Sequence, residues 1–334
     1  MVQLKDFTRL SFLFVYIFFA FVLEAHSQSS KISNYQLYFG IAKNDKENLI
    51  LLRRFIQDRK VYFLALNPAD LKTKLVSLKD CEAIETGFSA LEIKFPESVY
   101  FRSIKDAKEN AKKMSDAGIT HSLPSEAGII LTIDLCPSEH PLDRKIFTAL
   151  ISAIPTNEQP VPLAISVSGT WLNKHSKDLR WLKELQLKKE IDITWINHTL
   201  SHYYNKKLPL RNNFMLDKST DIKSEILGNE QLMLKNGLIP SVFFRFPGLT
   251  STNELLDSIC SYGLITIGSD AWLAKGQAVH NGSIVLIHGN GNEPLGVSKF
   301  IQLIISKKQE EINKSWLLFD LRKSLETEFM QHEP

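Results

Sequence analysis

The chain has 334 residues, of which 44% are hydrophobic and 23% charged, an ordinary globular composition with apolar mass for one large core or two modest ones. Its formal net charge is +3, the lysines are scattered, and no basic stripe alternates with aromatics, so composition sets nucleic acid aside as a partner.

Lys5 and Arg9 precede an apolar run, Leu10 to Leu23 ("LSFLFVYIFFAFVL"), and Ala25 and Ser27 stand at the −3 and −1 positions of a cut after Ser27. This is the three-part grammar of a secretory signal peptide over residues 1–27. A membrane anchor is less favoured, because the run is 14 residues long and a bilayer needs about 20. The mature chain is therefore expected outside the cytoplasm, periplasmic or extracellular. Three cysteines, Cys81, Cys136 and Cys260, are too few for a disulfide-built scaffold, and no pair has zinc-knuckle spacing.

Residues 28–125 form a small mixed α/β segment. "ENLILLRRFIQD" (Glu47–Asp58) has helical periodicity, "KVYFLALN" (Lys60–Asn67) is strand-like, and Ile104–Gly118 is a charged amphipathic helix ended by glycine. Nothing in this segment clusters reactive side chains, so its role stays open.

From residue 126 the texture changes. "GIILTIDL", "VPLAISVSG", "DITWI", "SVFFRF", "GLITIGSD", "GSIVLIHG" and "WLLFD" read as buried strands. Helical patterns lie between them at Lys145–Ile154, Asp178–Leu187, Lys218–Asn236, Asn253–Tyr262 and Val297–Lys307. Alternation of this kind implies a parallel sheet covered by helices, and seven units in about two hundred residues suit a distorted (β/α) barrel over 126–325. "GNGNEP" (Gly289–Pro294) is a tight turn, not a dinucleotide fingerprint. The sequons at Asn197, Asn281 and Asn313 read as chance matches.

Parallel barrels collect chemistry at the C-terminal strand ends. Read in order, those ends carry Asp134, Asn197-His198, Arg245, Asp270 and His288. His198 and His202 are four apart; on a helix starting at the strand end they would share a face and grip one metal ion. Alone, such a pair is more often a solvated or capping one. Asp134 and Arg245 each end an apolar run, where a charge needs a partner.

Five stretches in this order, "TIDLCP" (Thr132–Pro137), "NHTLSH" (Asn197–His202), "RFPG" (Arg245–Gly248), "SDAW" (Ser269–Trp272) and "VLIHG" (Val285–Gly289), resemble the motifs of the polysaccharide deacetylase family, the NodB-homology domain of carbohydrate esterases. The resemblance covers about two thirds of the mature chain. It implies a barrel of about seven strands, an N-acetyl group of a glycan as target, and a divalent metal, zinc with cobalt or nickel as alternatives, held by His198 and His202. It implies Asp134 as general base, Arg245 holding it, His288 as general acid and Asp270 as the partner of His288. Trp272 and Leu286 match the apolar wall at the acetyl methyl. Gly248 stands where the family often has a tyrosine and where a main-chain N–H serves the oxyanion.

One departure is central. The family has two successive aspartates in the first motif, the second a metal ligand; here the pair is Asp134-Leu135. Either Asp134 shifts to ligate, or a nearby group (Glu139, His140, Asp143, with Cys136 ranked low) completes the shell, or metal binding is weak or absent. The leading expectation is an exported amidohydrolase acting on an acetylated polysaccharide, peptidoglycan or another N-acetylglucosamine polymer, with no nucleic acid and no stable protein partner. The alternatives are a catalytically weak or inactive glycan-binding relative, motivated by Leu135, and a metal-assisted hydrolase of small cyclic amides. No G-x-S-x-G elbow or catalytic-cysteine signature offers another nucleophile.

Overall fold

The computed structural model describes residues 31–43, 48–110, 118–122, 124 and 126–331; the export segment expected at 1–27 lies outside them. No helix among the described residues is long and apolar enough to cross a membrane.

The chain begins with five antiparallel strands: β1 (Ile32–Lys43), β2 (Asn48–Gln57), β3 (Lys60–Leu66), β4 (Thr73–Ser77) and β5 (Glu82–Glu85), in the order β4-β3-β2-β1-β5. The helix expected at Glu47–Asp58 is thus the central strand β2. Its Ile50 and Leu52 pack toward the barrel and its Leu49 and Leu51 toward the other face of the sheet. A strand apolar on both faces loses the two-residue alternation that marks a half-buried one. The strand expected at Lys60–Asn67 is present as β3. Helices α1 (Phe88–Lys94) and α2 (Val99–Asn110) follow. α2 starts five residues before the expected helix, and residues 111–117 of that expectation lie outside the described ones.

The barrel strands are β6 (Gly128–Leu135), β7 (Val161–Val167), β8 (Ile191–Asn197), β9 (Phe243–Phe244), β10 (Ile265–Thr266), β11 (Ala271–Trp272) and β12 (Ile284–His288). They run parallel in the order β10-β9-β8-β7-β6-β12-β11 and curl into a half-barrel, with a two-residue β13 (Leu317–Leu318) paired to the start of β6. Helices α3 (Lys145–Ala153), α4 (Gly169–Lys174), α5 (Ser176–Leu187), α6 (Asn229–Lys235), α7 (Asn253–Ser261), α8 (Pro294–Ile312) and α9 (Leu321–Gln331) complete the order. The distorted (β/α) barrel expected from the alternation is the architecture observed, with three of its strands reduced to two residues.

Strand β6 explains the position of the first motif. All eight of its residues are buried, and successive side chains point to opposite faces. Ile129, Leu131, Ile133 and Leu135 pack outward with Phe147 and Leu150 of α3 and Phe300 of α8. Each such side chain contributes about 1.5–3 kcal/mol by leaving water. Asp134 and Cys136 therefore fall on the inner side.

The N-terminal segment is joined to the barrel by packing and by charge. Leu52, Tyr100, Phe101 and Ile104 share one core with Ile130, Ile196, Phe243 and Phe244. The wholly buried Arg53 donates from Nε and Nη2 to the two carboxylate oxygens of Glu230 (2.7 and 2.9 Å) and from Nη1 to the carbonyls of Tyr262 and Leu52. Residues 118–122 bridge the open margins of the parallel sheet. Ile119 N donates to Thr266 O and Ile119 O accepts from Gly268 N, while Ser122 N and Thr120 O bond to Gly282 and Ile284.

Candidate active site

In β6–β12 pairing, Asp134 lies opposite His288, and on the other side opposite Ser166 of β7. Asp134 is 3% exposed, and its Oδ1 accepts from Arg245 Nη1 at 2.9 Å. Arg245 follows β9 and is wholly buried. Its other hydrogen bonds reach Thr132 Oγ1 (2.7 Å), Ile267 O (3.3 Å) and Gly268 O (2.7 Å), so each of the three guanidinium nitrogens is engaged. Burial works to raise the Asp134 carboxyl, but Arg245 and then His198 outweigh it and hold the group below the usual carboxylate range. The base expected from the sequence and its expected cation are thus brought together.

The two histidines also meet, but not on a helix. Residues 198–205 after β8 are irregular, and Thr199 and His202 take left-handed backbone angles (φ 69° and 48°). Asn197 organises the turn: its Oδ1 accepts from Thr199 N and Asn229 Nδ2, and its Nδ2 donates to Ile226 O. Thr199 Oγ1 then accepts from His202 N at 3.2 Å. Asn197 is wholly buried and its amide is engaged, in keeping with its sequon being a chance match. The rings of His198 and His202 lie 4.7 Å apart edge to face, and Phe214 backs His202 at 5.5 Å.

His198 Nδ1 bonds the carbonyl of Arg245 at 2.9 Å, which turns Nε2 toward the site. That Nε2 lies 3.4 Å from Cys136 Sγ and 3.7 Å from Asp134 Oδ2. His202 Nε2 is buried and has no hydrogen-bond partner, an arrangement that native interiors avoid unless something else fills the valence. Cys136 Sγ and one ring nitrogen each of His198 and His202 all lie within 4.8 Å of one another. These nitrogen and sulfur donors and the orphaned imidazole nitrogen fit a borderline divalent metal such as zinc. Burial works to raise the Cys136 thiol, and His202, His288 and His198 together carry it well below its ordinary value.

His288 ends β12 beside the same space; Asp134, Cys136 and His288 form a second close group. Here the structure corrects the sequence-based pairing. Asp270 does not orient His288: its Oδ2 lies 2.7 Å from His121 Nδ1, and its Oδ1 accepts from Ile284 N. The charged neighbour of His288 is Glu293, whose Oε2 lies 2.8 Å from Nδ1, an ion pair by distance without hydrogen-bond geometry, and accepts from Trp272 Nε1 at 2.7 Å. Burial works to lower the His288 pKa, and Cys136 with Glu293 more than offsets it, so the ring is held well above its ordinary value. Glu293 comes five residues after His288, and the left-handed Gly291 (φ 75°) between them is in the tight turn that brings it back.

Trp272 and Leu286 are partners across β11 and β12 and form a small apolar cluster with Leu249. Gly248 has φ 64°, and a Cβ there would stand 2.7 Å from Phe214 Cε2. The ring of Phe214 closes on the space where the resemblance would place a tyrosine. Among the other proposed ligands, Glu139 is exposed and paired with Lys174, His140 is exposed, and Asp143 Oδ1 accepts from Lys145 N. None of the three is in the described ligand groups.

Residues 33–87 match the family described as the RP012 protein N-terminal domain. Among solved structures, the chain is similar to a family 4 carbohydrate esterase from Bacillus anthracis, with 18% identity and a TM-score of 0.46 over 67% of this chain and 91% of that one. It is similar to PdaA of Bacillus subtilis, also a family 4 carbohydrate esterase, with 16% identity and a TM-score of 0.47 over 65% and 86%. A CE4-family pseudoenzyme from Bacillus anthracis matches with 14% identity and a TM-score of 0.43 over 68% and 82%.

Proposed function

We propose that this protein is an exported amidohydrolase that removes N-acetyl groups from a glycan, peptidoglycan or another N-acetylglucosamine polymer, with the help of a divalent metal. The observation that carries the reading is the convergence of three functions on one rim. A carboxylate held ionised by a buried arginine, two imidazole nitrogens facing one point, and an imidazole with its own carboxylate all line the same space.

His198 and His202 would hold the metal, which supplies Lewis-acid stabilisation of the charge that develops on the acetyl carbonyl oxygen. Asp134, ionised across the neutral range, accepts the proton of the attacking water. Arg245 keeps that carboxylate fixed, since its other donors are tied to Thr132 and to the backbone. His288, carrying a proton on the nitrogen that faces the site, donates it to the departing amine, and Glu293 holds the ring through Nδ1. Trp272, Leu249 and Leu286 form the apolar cluster proposed to meet the acetyl methyl. The main-chain N–H near Gly248 is the proposed donor to the oxyanion.

Purified protein incubated with N-acetylglucosamine oligomers or peptidoglycan, with zinc, cobalt or nickel added, should release acetate. Absence of acetate with every glycan and metal would overturn the reading. Leu135 motivates a second reading, a glycan-binding protein without metal chemistry. Stoichiometric metal in the purified chain, lost in the His198→Ala, His202→Ala variant, would rule that reading out.

A further inference from the structure

The proposed grip of His198 and His202 leaves its third protein ligand open. Resting on that grip, we infer that Cys136 supplies the third ligand as a thiolate, so that two imidazoles and one sulfur hold the ion. Strand pleating is the first reason. Leu135 is locked into the outer core with Ile133 and Leu131, and the next residue, Cys136, returns to the face of Asp134. The carboxylate missing at 135 is thus replaced by an anionic donor one position along, on the side where the histidines stand.

Distances carry the second reason. Zinc bonds of about 2.05 Å to nitrogen and 2.3 Å to sulfur, set at the tetrahedral angle, place N and S roughly 3.6 Å apart. The Cys136 Sγ to His198 Nε2 separation is 3.4 Å, close to that edge. A thiol–imidazole hydrogen bond would give a similar length, but it would leave His202 Nε2 as it stands, buried and unpartnered. One ion at the centre of the three atoms satisfies His198, His202 and Cys136 together.

Asp134 does not compete well for this place. Its Oδ1 is engaged by Arg245, and it does not group with His202 among the described ligand sets. A sulfur ligand therefore frees Asp134 to serve as the base. It also sets metal preference: a thiolate selects zinc or cobalt over the hard cations magnesium, calcium and manganese, which take oxygen donors.

The test is spectroscopic and needs no turnover. Metal-free full-length protein is titrated with Co(II), and the near-ultraviolet thiolate-to-cobalt charge-transfer absorption is followed together with bound metal. The expected result is one equivalent of cobalt with that band. The band should be displaced by zinc, kept in Cys81→Ser and Cys260→Ser, and lost in Cys136→Ser. Cys136→Ser should also bind zinc more weakly by more than the ~10–100-fold that loss of an outer partner costs. One equivalent of cobalt bound without the band, or a band that survives in Cys136→Ser, overturns the sulfur ligand and leaves the histidine grip intact. Failure of the parent chain to bind either cobalt or zinc overturns both.

Discussion

The Asp134–Arg245 pair offers the sharpest energetic test of the site. Both side chains are buried, and their nearest atoms are 2.9 Å apart. At an effective dielectric of about 20, the bare attraction is roughly 5–6 kcal/mol, of which desolvation removes a large part. Arg245→Met strands the carboxylate and leaves the carbonyls of Ile267 and Gly268 without their donors. The expected loss is about 3–5 kcal/mol at pH 7. Asp134→Asn keeps an acceptor for Nη1, and the guanidinium retains three other acceptors, so its loss should be smaller, about 1–3 kcal/mol. Because each single change also harms the other partner, the double variant should lose less than the sum, by about 1–3 kcal/mol. Urea unfolding of the four proteins at one pH reads this coupling directly. Additivity within about 0.5 kcal/mol would refute the argument: Arg245 would then be held by Thr132 and the backbone alone, and the low Asp134 pKa would need another cause.

The geometry sets four further outcomes. Glu293→Gln should lower kcat for acetate release by about tenfold or more with the fold intact. Asp270→Asn should leave kcat within a few-fold and reduce thermal stability through His121; the opposite pattern would restore Asp270 as the partner of His288. Glu311, whose Oε2 is buried without a partner, has its pKa pushed up to about 7 by burial and by Glu158. A raised carboxyl stabilises most fully below its unfolded value and loses that contribution as pH rises through about 7. Glu311→Gln should therefore add on the order of 1–2 kcal/mol at pH 8, discounted for partial solvation, and nothing near pH 4; an equal gain at both pH values in chemical unfolding would be contrary. Arg53→Met strands Glu230 between the N-terminal sheet and the barrel, and should cost about 3–5 kcal/mol in the same assay, whereas a loss below about 1 kcal/mol would mean that apolar packing alone joins them.

Part of the rim was legible from the sequence because β6, β8 and β12 are apolar runs with a polar residue at or next to their C-terminal ends, so Asp134, His198 and His288 declare their places without any knowledge of register. Arg245 was legible for the same reason, although only Phe243 and Phe244 of its run are paired as strand. Three features were hidden, each for a physical reason. β2 is buried on both faces, which erases the alternation by which a strand is recognised. The histidine pair is placed by the left-handed residues Thr199 and His202, and neither threonine nor histidine announces such a backbone. Glu293 reaches His288 through a turn whose return direction depends on Gly291. Spacing predicts that such a turn exists, not which carboxylate it delivers.

Just past the expected helix of residues 28–125, backbone bonds tie this segment to the parallel sheet. Ile119 and Thr120 bond across the margins of a sheet whose edge strands, β10 and β11, are two residues long and could not close on their own. His121, in the same stretch, holds Asp270, and Asp270 directly precedes the β11 pair Ala271-Trp272. Trp272 in turn donates to Glu293, the carboxylate at His288. An acid that matches a catalytic motif in sequence is thereby engaged in joining the N-terminal segment to the strand that supports the His288 side of the site. Among its described residues, the segment's contribution near the rim is geometric: it supplies backbone partners and one imidazole where the parallel sheet runs out of strand.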